Sequence, residues 1–252
     1  MNDDSIYDFY IPKYMDLGVG STPNINLHNY YLEYALLVKE DQILEIGYGS
    51  GLLTASLLKK SIKVIAIDKS KQSAAYLTQK CKILGLLNNL MIETGDVSEY
   101  NCNLTFNTIF AADDFLPHFL SKEDLSLFFR KINQLLNSNG VFVTDIRIRS
   151  EDEFSKLNSY PVQMLNKEVD GVKYVSCSSW INLTNDNIVH VNYRYDELNS
   201  QGAIINSFIR ILRQGNISLD EMRIIASNNG LALIINDQAN LDCHILQFTK
   251  LK

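Results

Sequence analysis

Several large classes of protein are excluded by what this sequence does not contain. Its four cysteines, Cys81, Cys102, Cys177 and Cys243, are scattered, with no Cys-x-x-Cys pair and no accompanying histidine pattern. A disulfide framework or a zinc ribbon is therefore not expected, and no metal site is; the four read as reduced thiols of a cytoplasmic protein, most of them in the core. No block of lysine or arginine is present and the net charge is −6, which gives a polyanion no electrostatic footing. No apolar run approaches the length that crosses a bilayer, and the opening "MNDDSIYDFY" is acidic and lacks the apolar stretch of a signal peptide. Internal repeats and low-complexity tracts are also missing. A membrane or nucleic-acid partner is not expected.

What remains is 252 residues of average globular composition, 46% hydrophobic and 21% charged, long enough for a sizeable core. Its first part alternates. "QILEI" (42–46), "KVIAID" (63–68), "LMIETGD" (90–96), "FNTIFAA" (106–112) and "VFVTDIRI" (141–148) read as five strands. Between them lie helical stretches, among them 71–85, stopped by Gly85, and 121–140, opened by Ser121 and closed by Gly140. Strands alternating with helices predict a mainly parallel sheet covered on both faces. After residue 150 the rhythm changes to 172–183, 187–198 and 203–214, separated by the turn sequences "TNDN" and "NSQG". That predicts a three-stranded antiparallel unit. A capping box at Ser218 and Glu221 then opens a helix, and "LALIIND" and "CHILQFTK" form a closing antiparallel pair. The organisation expected is a helical lid (1–40), an α/β domain (41–149 with 216–252) and an antiparallel insertion (150–215).

"EIGYGSG" (45–51) sits between the first strand and its helix, where open parallel sheets bind ligands. Its glycines let a ligand approach the backbone, and the helix N-terminus faces it. The dinucleotide pattern Gly-x-Gly-x-x-Gly fails, because Leu52 stands at its sixth position. Glu45 at the strand end would repel a phosphate and suits a ligand with a cationic amino group and no pyrophosphate. S-adenosylmethionine is such a ligand.

"LEIGYGSG", Asp68 at the end of "KVIAID", "GDV" at 95–97, and the segment from "NTIFAADDF" through "VFVTDI" together resemble the class I S-adenosylmethionine-dependent methyltransferases. The likeness extends over nearly the whole chain and is nearest the small-molecule branch, with amino-sugar N-methyltransferases nearer than glycine N-methyltransferase. It departs at Tyr48, where a cysteine is common, and at "NSNG", where a Pro-Gly turn is usual. The resemblance implies a Rossmann-like sheet of seven strands with the last antiparallel, and S-adenosylmethionine as cofactor. It implies that Asp68 holds the ribose hydroxyls, that Asp96 holds the adenine amino group, and that Val97 gives a backbone contact. The full cofactor set expected is Tyr14, Glu45, Gly47, Tyr48, Gly49, Gly51, Asp68, Lys69, Asp96, Val97 and Ala112.

Methyl transfer requires alignment, exclusion of water and, for an amine, an unprotonated nucleophile. His118, just after strand four, is the candidate base, and Tyr10 the second catalytic candidate; packing under the loop is the competing role for His118. Asp68 and Asp96 could instead cap local turns, and Asp113 could be solvated or touch substrate. His28 belongs either to the surface or to the lid. Asp113, Arg147, Trp180, Tyr195 and Arg210 are the substrate candidates, with surface exposure or sheet packing as the alternatives. Three functions stay open: N-methylation of a small amine, O- or carboxyl-methylation, and cofactor binding without methyl transfer. The insertion is expected to set specificity or form a homodimer contact. A nucleic-acid substrate is disfavoured by "AADDF", which lacks the Asn/Asp-Pro-Pro-aromatic motif.

Overall fold

The computed structural model describes residues 12–19, 24–39, 42–150, 152–153, 156, 162–181, 188–237 and 241–251. Five parallel strands form its centre: β1 (Gln42–Ile46), β2 (Lys63–Asp68), β3 (Leu90–Thr94), β4 (Phe106–Ala111) and β5 (Leu136–Ile146). They are joined by β10 (Leu231–Ile235) and β11 (His244–Lys250) in the order β10-β11-β5-β4-β1-β2-β3, with β11 antiparallel to both its neighbours. This is the seven-stranded sheet expected. The order reverses between β1 and β4, which places the topological switch point at their carboxyl ends.

Burial on both faces explains why these strands read as unbroken apolar runs. One face packs Ile46, Ile109, Phe142 and Phe248 against α5 (Lys122–Leu135) and α6 (Leu219–Asn228). The other packs Ile43, Val64, Phe110 and Ile245 against α2 (Ile25–Val38), α3 (Leu52–Lys59) and α4 (Lys71–Ile83). Helix starts follow the expected caps: Ser121 accepts from the Asp124 amide at 3.0 Å, and Ser218 with Glu221 forms the reciprocal box. Gly85, at φ 68°, ends α4 as expected.

Two boundaries differ from expectation. Helix α5 stops at Leu135, and β5 already begins at Leu136, which pairs with Phe106. Gly140 is thus a strand residue; a Cβ there would lie 2.6 Å from the Phe106 carbonyl oxygen. The antiparallel unit has four strands, not three: β6 (Gln163–Val169), β7 (Val172–Ile181), β8 (Ile188–Leu198) and β9 (Ile204–Gly215), paired in that order. "QMLNKEV" escaped notice because β6 is an edge strand exposed along most of its length, so it needs no apolar face.

A short N-terminal helix, α1 (Pro12–Asp16), joins the two sheets. Asp16 accepts from the Tyr76 hydroxyl at 2.8 Å and the Lys80 ammonium at 2.9 Å, both on α4. On its other side Tyr14 is buried against Tyr174 and Tyr195, with ring centroids 5.6 and 4.8 Å away. Lys13 lies over the Tyr174 ring and pairs with Glu197 at 3.6 Å, and the Ser176 hydroxyl donates to the Val19 carbonyl. No helix among the described residues is long and apolar enough to cross a membrane.

Candidate active site

The glycine loop answers first to its own fold. Gly47, Gly49 and Gly51 take φ of 70°, 56° and 72°, a region that residues with a Cβ seldom adopt. A Cβ on Gly47 would meet the Phe115 ring at 2.5 Å, and one on Gly51 would meet Leu77 at 2.3 Å. Packing against the chain itself therefore excludes side chains at both positions, a cause the sequence reading had assigned to the ligand. Gly51 is the N-cap of α3 and offers no side-chain acceptor to the first-turn amides of that helix.

The next strand ends converge on the loop. One Asp68 oxygen accepts from the Gly49 amide at 2.9 Å and the other from the Ser70 amide at 2.8 Å. Asp68 is thus a loop clamp; the cap of α4 is Ser70, which accepts from the Ser73 amide. Burial raises the Asp68 pKa, against the two amide bonds and the charges of Arg210 and Lys69. Asp96 accepts from the Ser98 amide at 2.8 Å, capping a 3-10 turn that buries Val97, and pairs with Lys69 at 2.7 Å. Burial acts to raise its pKa, but the Lys69 and Ser98 bonds prevail and lower it.

Glu45 is only 3% exposed and accepts from the Thr54 hydroxyl at 2.7 Å. Burial pushes its carboxyl up to about 7. Beside it, Tyr48 is buried, and its hydroxyl has no hydrogen-bond partner among the described residues. Ala112 follows β4 directly and packs against the core on the Phe110 face of the sheet.

The acceptor side is built from distant segments. Asp113 and Asp114, directly after β4, both take left-handed conformations, φ 62° and 59°. Their amides donate to the two oxygens of Asp145, at the end of β5, at 3.0 and 2.8 Å. Asp145 is 2% exposed and also accepts from the Tyr31 hydroxyl at 2.6 Å. Burial and the nearby Asp113 charge raise its carboxyl to about 7. His28, buried on α2, meets Asp113 at 2.7 Å. Burial lowers the imidazole pKa, but the Asp113 bond and the charges of Asp113, Glu45 and Asp145 outweigh it, so the net shift is upward. The sequence left His28 undecided, offered Tyr31 only as one of an N-terminal cluster of tyrosines, and gave no sign of Asp145.

His118 ends the 3-10 turn Leu116–His118. Burial, with Arg210 and Lys69 nearby, lowers its pKa to about 4. The register of β7, β8 and β9 sets Trp180 beside Val191, Ser178 beside Tyr193, and Tyr193 beside Arg210, so Trp180, Tyr193, Tyr195 and Arg210 share one face. Gly215 closes that strand against the His118 turn, where a Cβ would lie 2.8 Å from the Phe119 carbonyl oxygen. Three candidates are engaged elsewhere: Arg147 pairs with Asp242 at 3.4 Å, and Tyr14 and Tyr195 pack together under the antiparallel sheet. Tyr10 lies outside the described residues.

Residues 43–140 match a family model described as a methyltransferase domain. Whole-chain likeness in fold extends to three solved structures. The sugar N-methyltransferase KedS8 of a Streptoalloteichus species has a TM-score of 0.78 at 13% identity, with 96% of this chain and 93% of that one covered. The CcbJ methyltransferase of Streptomyces caelestis gives 0.75 at 17% identity, covering 99% and 100%. The amino pentose methyltransferase CalS10 of Micromonospora echinaspora, solved with S-adenosylmethionine bound, gives 0.75 at 11%, covering 96% and 98%. The match marks residues 43–140 as a methyltransferase domain, and the fold of the whole chain is the one these three methyltransferase structures share. The strand-end carboxylates and the buried Tyr48 hydroxyl suit the hydroxyl and amino groups of S-adenosylmethionine, the ligand held in the CalS10 structure.

Proposed function

We propose that the protein transfers a methyl group to the amine nitrogen of a small molecule. The carrying observation is the acidic mouth of the acceptor side, where the Asp113–Asp114 turn, His28 and Asp145 meet at the carboxyl ends of β4 and β5. An amine arrives as an ammonium ion, and carboxylates there favour its approach and hold it beside the switch point. S-adenosylmethionine, when bound, supplies a methyl group that already carries its leaving group. What the chain adds is orientation and shelter. Asp68 and Asp96 hold the two ends of the nucleoside through hydroxyl and amino hydrogen bonds, and the face bearing Trp180, Tyr193 and Arg210 closes the cleft against water. The likeness in fold to the sugar N-methyltransferase KedS8 supports the nitrogen acceptor.

A second reading, methylation of a carboxylate, is favoured by Arg210, whose charge acts on His118. One assay separates the two. Labelled cofactor is incubated with amino sugars and other small amines and with their hydroxyl and carboxyl analogues, and the labelled atom is located by mass spectrometry and NMR. Label on nitrogen supports the proposal; label confined to oxygen or carboxylate overturns it.

A further inference from the structure

The turn after β4 holds two successive non-glycine residues in the left-handed region, Asp113 at φ 62° and Asp114 at φ 59°. Such conformations persist only where the surroundings over-determine them, and they concentrate at functional sites. The determinant here is one side chain. Asp145 gives one oxygen to the Asp113 amide and the other to the Asp114 amide, at 3.0 and 2.8 Å. The Tyr31 hydroxyl, reaching across from α2, fixes the rotamer of that carboxylate at 2.6 Å. The same turn continues into Phe115, whose ring packs on Gly47, so its pose is keyed to the glycine loop. The Asp113 side chain remains 53% exposed at the mouth, with His28 gripping one oxygen at 2.7 Å. A buried carboxylate spent on holding a strained turn is hard to explain by stability alone, because glycine at 113 and 114 would relieve the strain without it.

We propose that Asp145 is a positioning residue for the acceptor: by holding both amides of the Asp113–Asp114 turn it aims the Asp113 carboxylate at the ammonium group of the substrate. This rests on the amine reading given above. Asp145 touches no reacting atom; it acts through the turn, and Tyr31 supports it. Asparagine cannot replace it, since its NH2 group would face one of the two amide donors it must satisfy. Asp113→Asn, by contrast, keeps a residue that tolerates positive φ and removes only the charge.

The test is steady-state kinetics with the amine that the wild type methylates, with cofactor affinity and thermal unfolding measured on the same samples. Asp145→Asn is expected to raise KM for the amine and lower kcat/KM by about 10²-fold, as misplaced binding groups do, with cofactor affinity unchanged. Asp113→Asn should raise the same KM while folding like the wild type. Tyr31→Phe, which removes the bond that fixes the Asp145 rotamer but leaves both amide acceptors in place, should raise the amine KM by less than Asp145→Asn does. If Asp145 were merely structural, Asp145→Asn would unfold earlier yet keep a wild-type KM, and that result overturns the proposal. Should Asp145→Asn fail to fold, Asp113→Asn decides, and an unchanged KM overturns the inference while the amine reading stands. A wild type that methylates no amine overturns both.

Discussion

The two sides of the cleft are made differently. On the cofactor side, Asp68 reaches the Gly49 amide 19 residues away and the Ser70 amide two residues away, and Lys69 meets Asp96 from the neighbouring strand end. Each of these pairs lies within a single βαβ stretch of the chain. On the acceptor side, Asp113 meets His28 across 85 positions, and Asp145 meets Tyr31 across 114. The first arrangement is a local loop-and-clamp that any fold with this β1–α3–β2 unit reproduces. The second exists only once α2, β4 and β5 are packed. A binding function shared by a whole class can be local; the choice of acceptor is assembled from the tertiary structure.

The sharpest way to break that comparison is at Asp68. Asp68→Ala should weaken S-adenosylmethionine binding by about 1.5–3 kcal/mol, the usual worth of hydrogen bonds to a charged group, because it removes the acceptor and frees the Gly49 amide that shapes the loop. Calorimetry with the cofactor reads it. The comparison holds if the amine KM at saturating cofactor stays near the wild-type value, and fails if the two sides weaken together.

Local coding also explains what could be read from sequence. The parallel strands, the Ser218–Glu221 box and the Asp96 cap of the turn at 97–99 were legible because each is signalled within a few residues. The glycine triplet was legible as a loop, but the reason for Gly47 and Gly51 was not, since Phe115 and Leu77 approach from other elements. His28 gave no signal: on α2 it is one more side chain on a helix, and only Asp113 gives it a partner. Asp145, inside "FVTDI", sits in an apolar strand where a buried acid has meaning only beside the two amides it holds. Strand β6 went unread because an edge strand need not alternate.

The acceptor side also carries an electrostatic cost that the cofactor side shares at Glu45 and Asp68. Glu45 and Asp145 are raised by burial to about 7 in the folded protein, well above ordinary carboxylates. Between about pH 4 and 7 the native state therefore holds protons that the unfolded chain has released, so stability falls as pH rises through that window. His28 has the same sign, since its folded pKa is raised and its contribution is lost as pH climbs through it. The ligand-free protein should unfold at a higher temperature at pH 5.5 than at pH 8, read by calorimetry at constant ionic strength. Glu45→Gln keeps an acceptor for Thr54, removes one of these ionisations and should flatten the slope. A slope of opposite sign would mean that water or a counter-charge reaches both groups.

The antiparallel sheet sets its two faces apart in the same way, one turned to the cleft and one to solvent. Edge strands are normally protected by charge or proline, yet "AIINSFI" (203–209) carries neither, and Ile209 is 76% exposed on the outward face with Ile211 two residues further along the same face. We propose that β9 pairs antiparallel with β9 of a second copy, a self-complementary contact of the two-fold kind. Ile209→Lys should then shift the protein toward monomer in sedimentation or light scattering, with cofactor affinity unchanged. A wild type that is monomeric at high concentration removes the idea.

The smallest effect is expected at His118, where sequence reasoning placed the base. An unperturbed imidazole would suit proton transfer at neutral pH, but this one is buried, with Arg210 and Lys69 close by, and titrates at about 4. It is neutral throughout the working range and holds an added proton poorly, so an ammonium acceptor has little reason to surrender its proton there. His118 can still accept a hydrogen bond from the acceptor and fix its orientation. His118→Ala should therefore cost less than about tenfold in kcat/KM, short of the 10²–10⁴-fold loss that marks a general base. The acid limb of the pH–rate profile between pH 5 and 8 should be the same in variant and wild type. A loss of about 10²-fold or more, with that limb abolished, would mean that a bound acceptor returns the imidazole to its ordinary range and makes it the base. The acceptor side would then hold two proton-handling groups, His118 and the His28–Asp113 pair, and a double variant compared with the two singles would show whether they act on the same step.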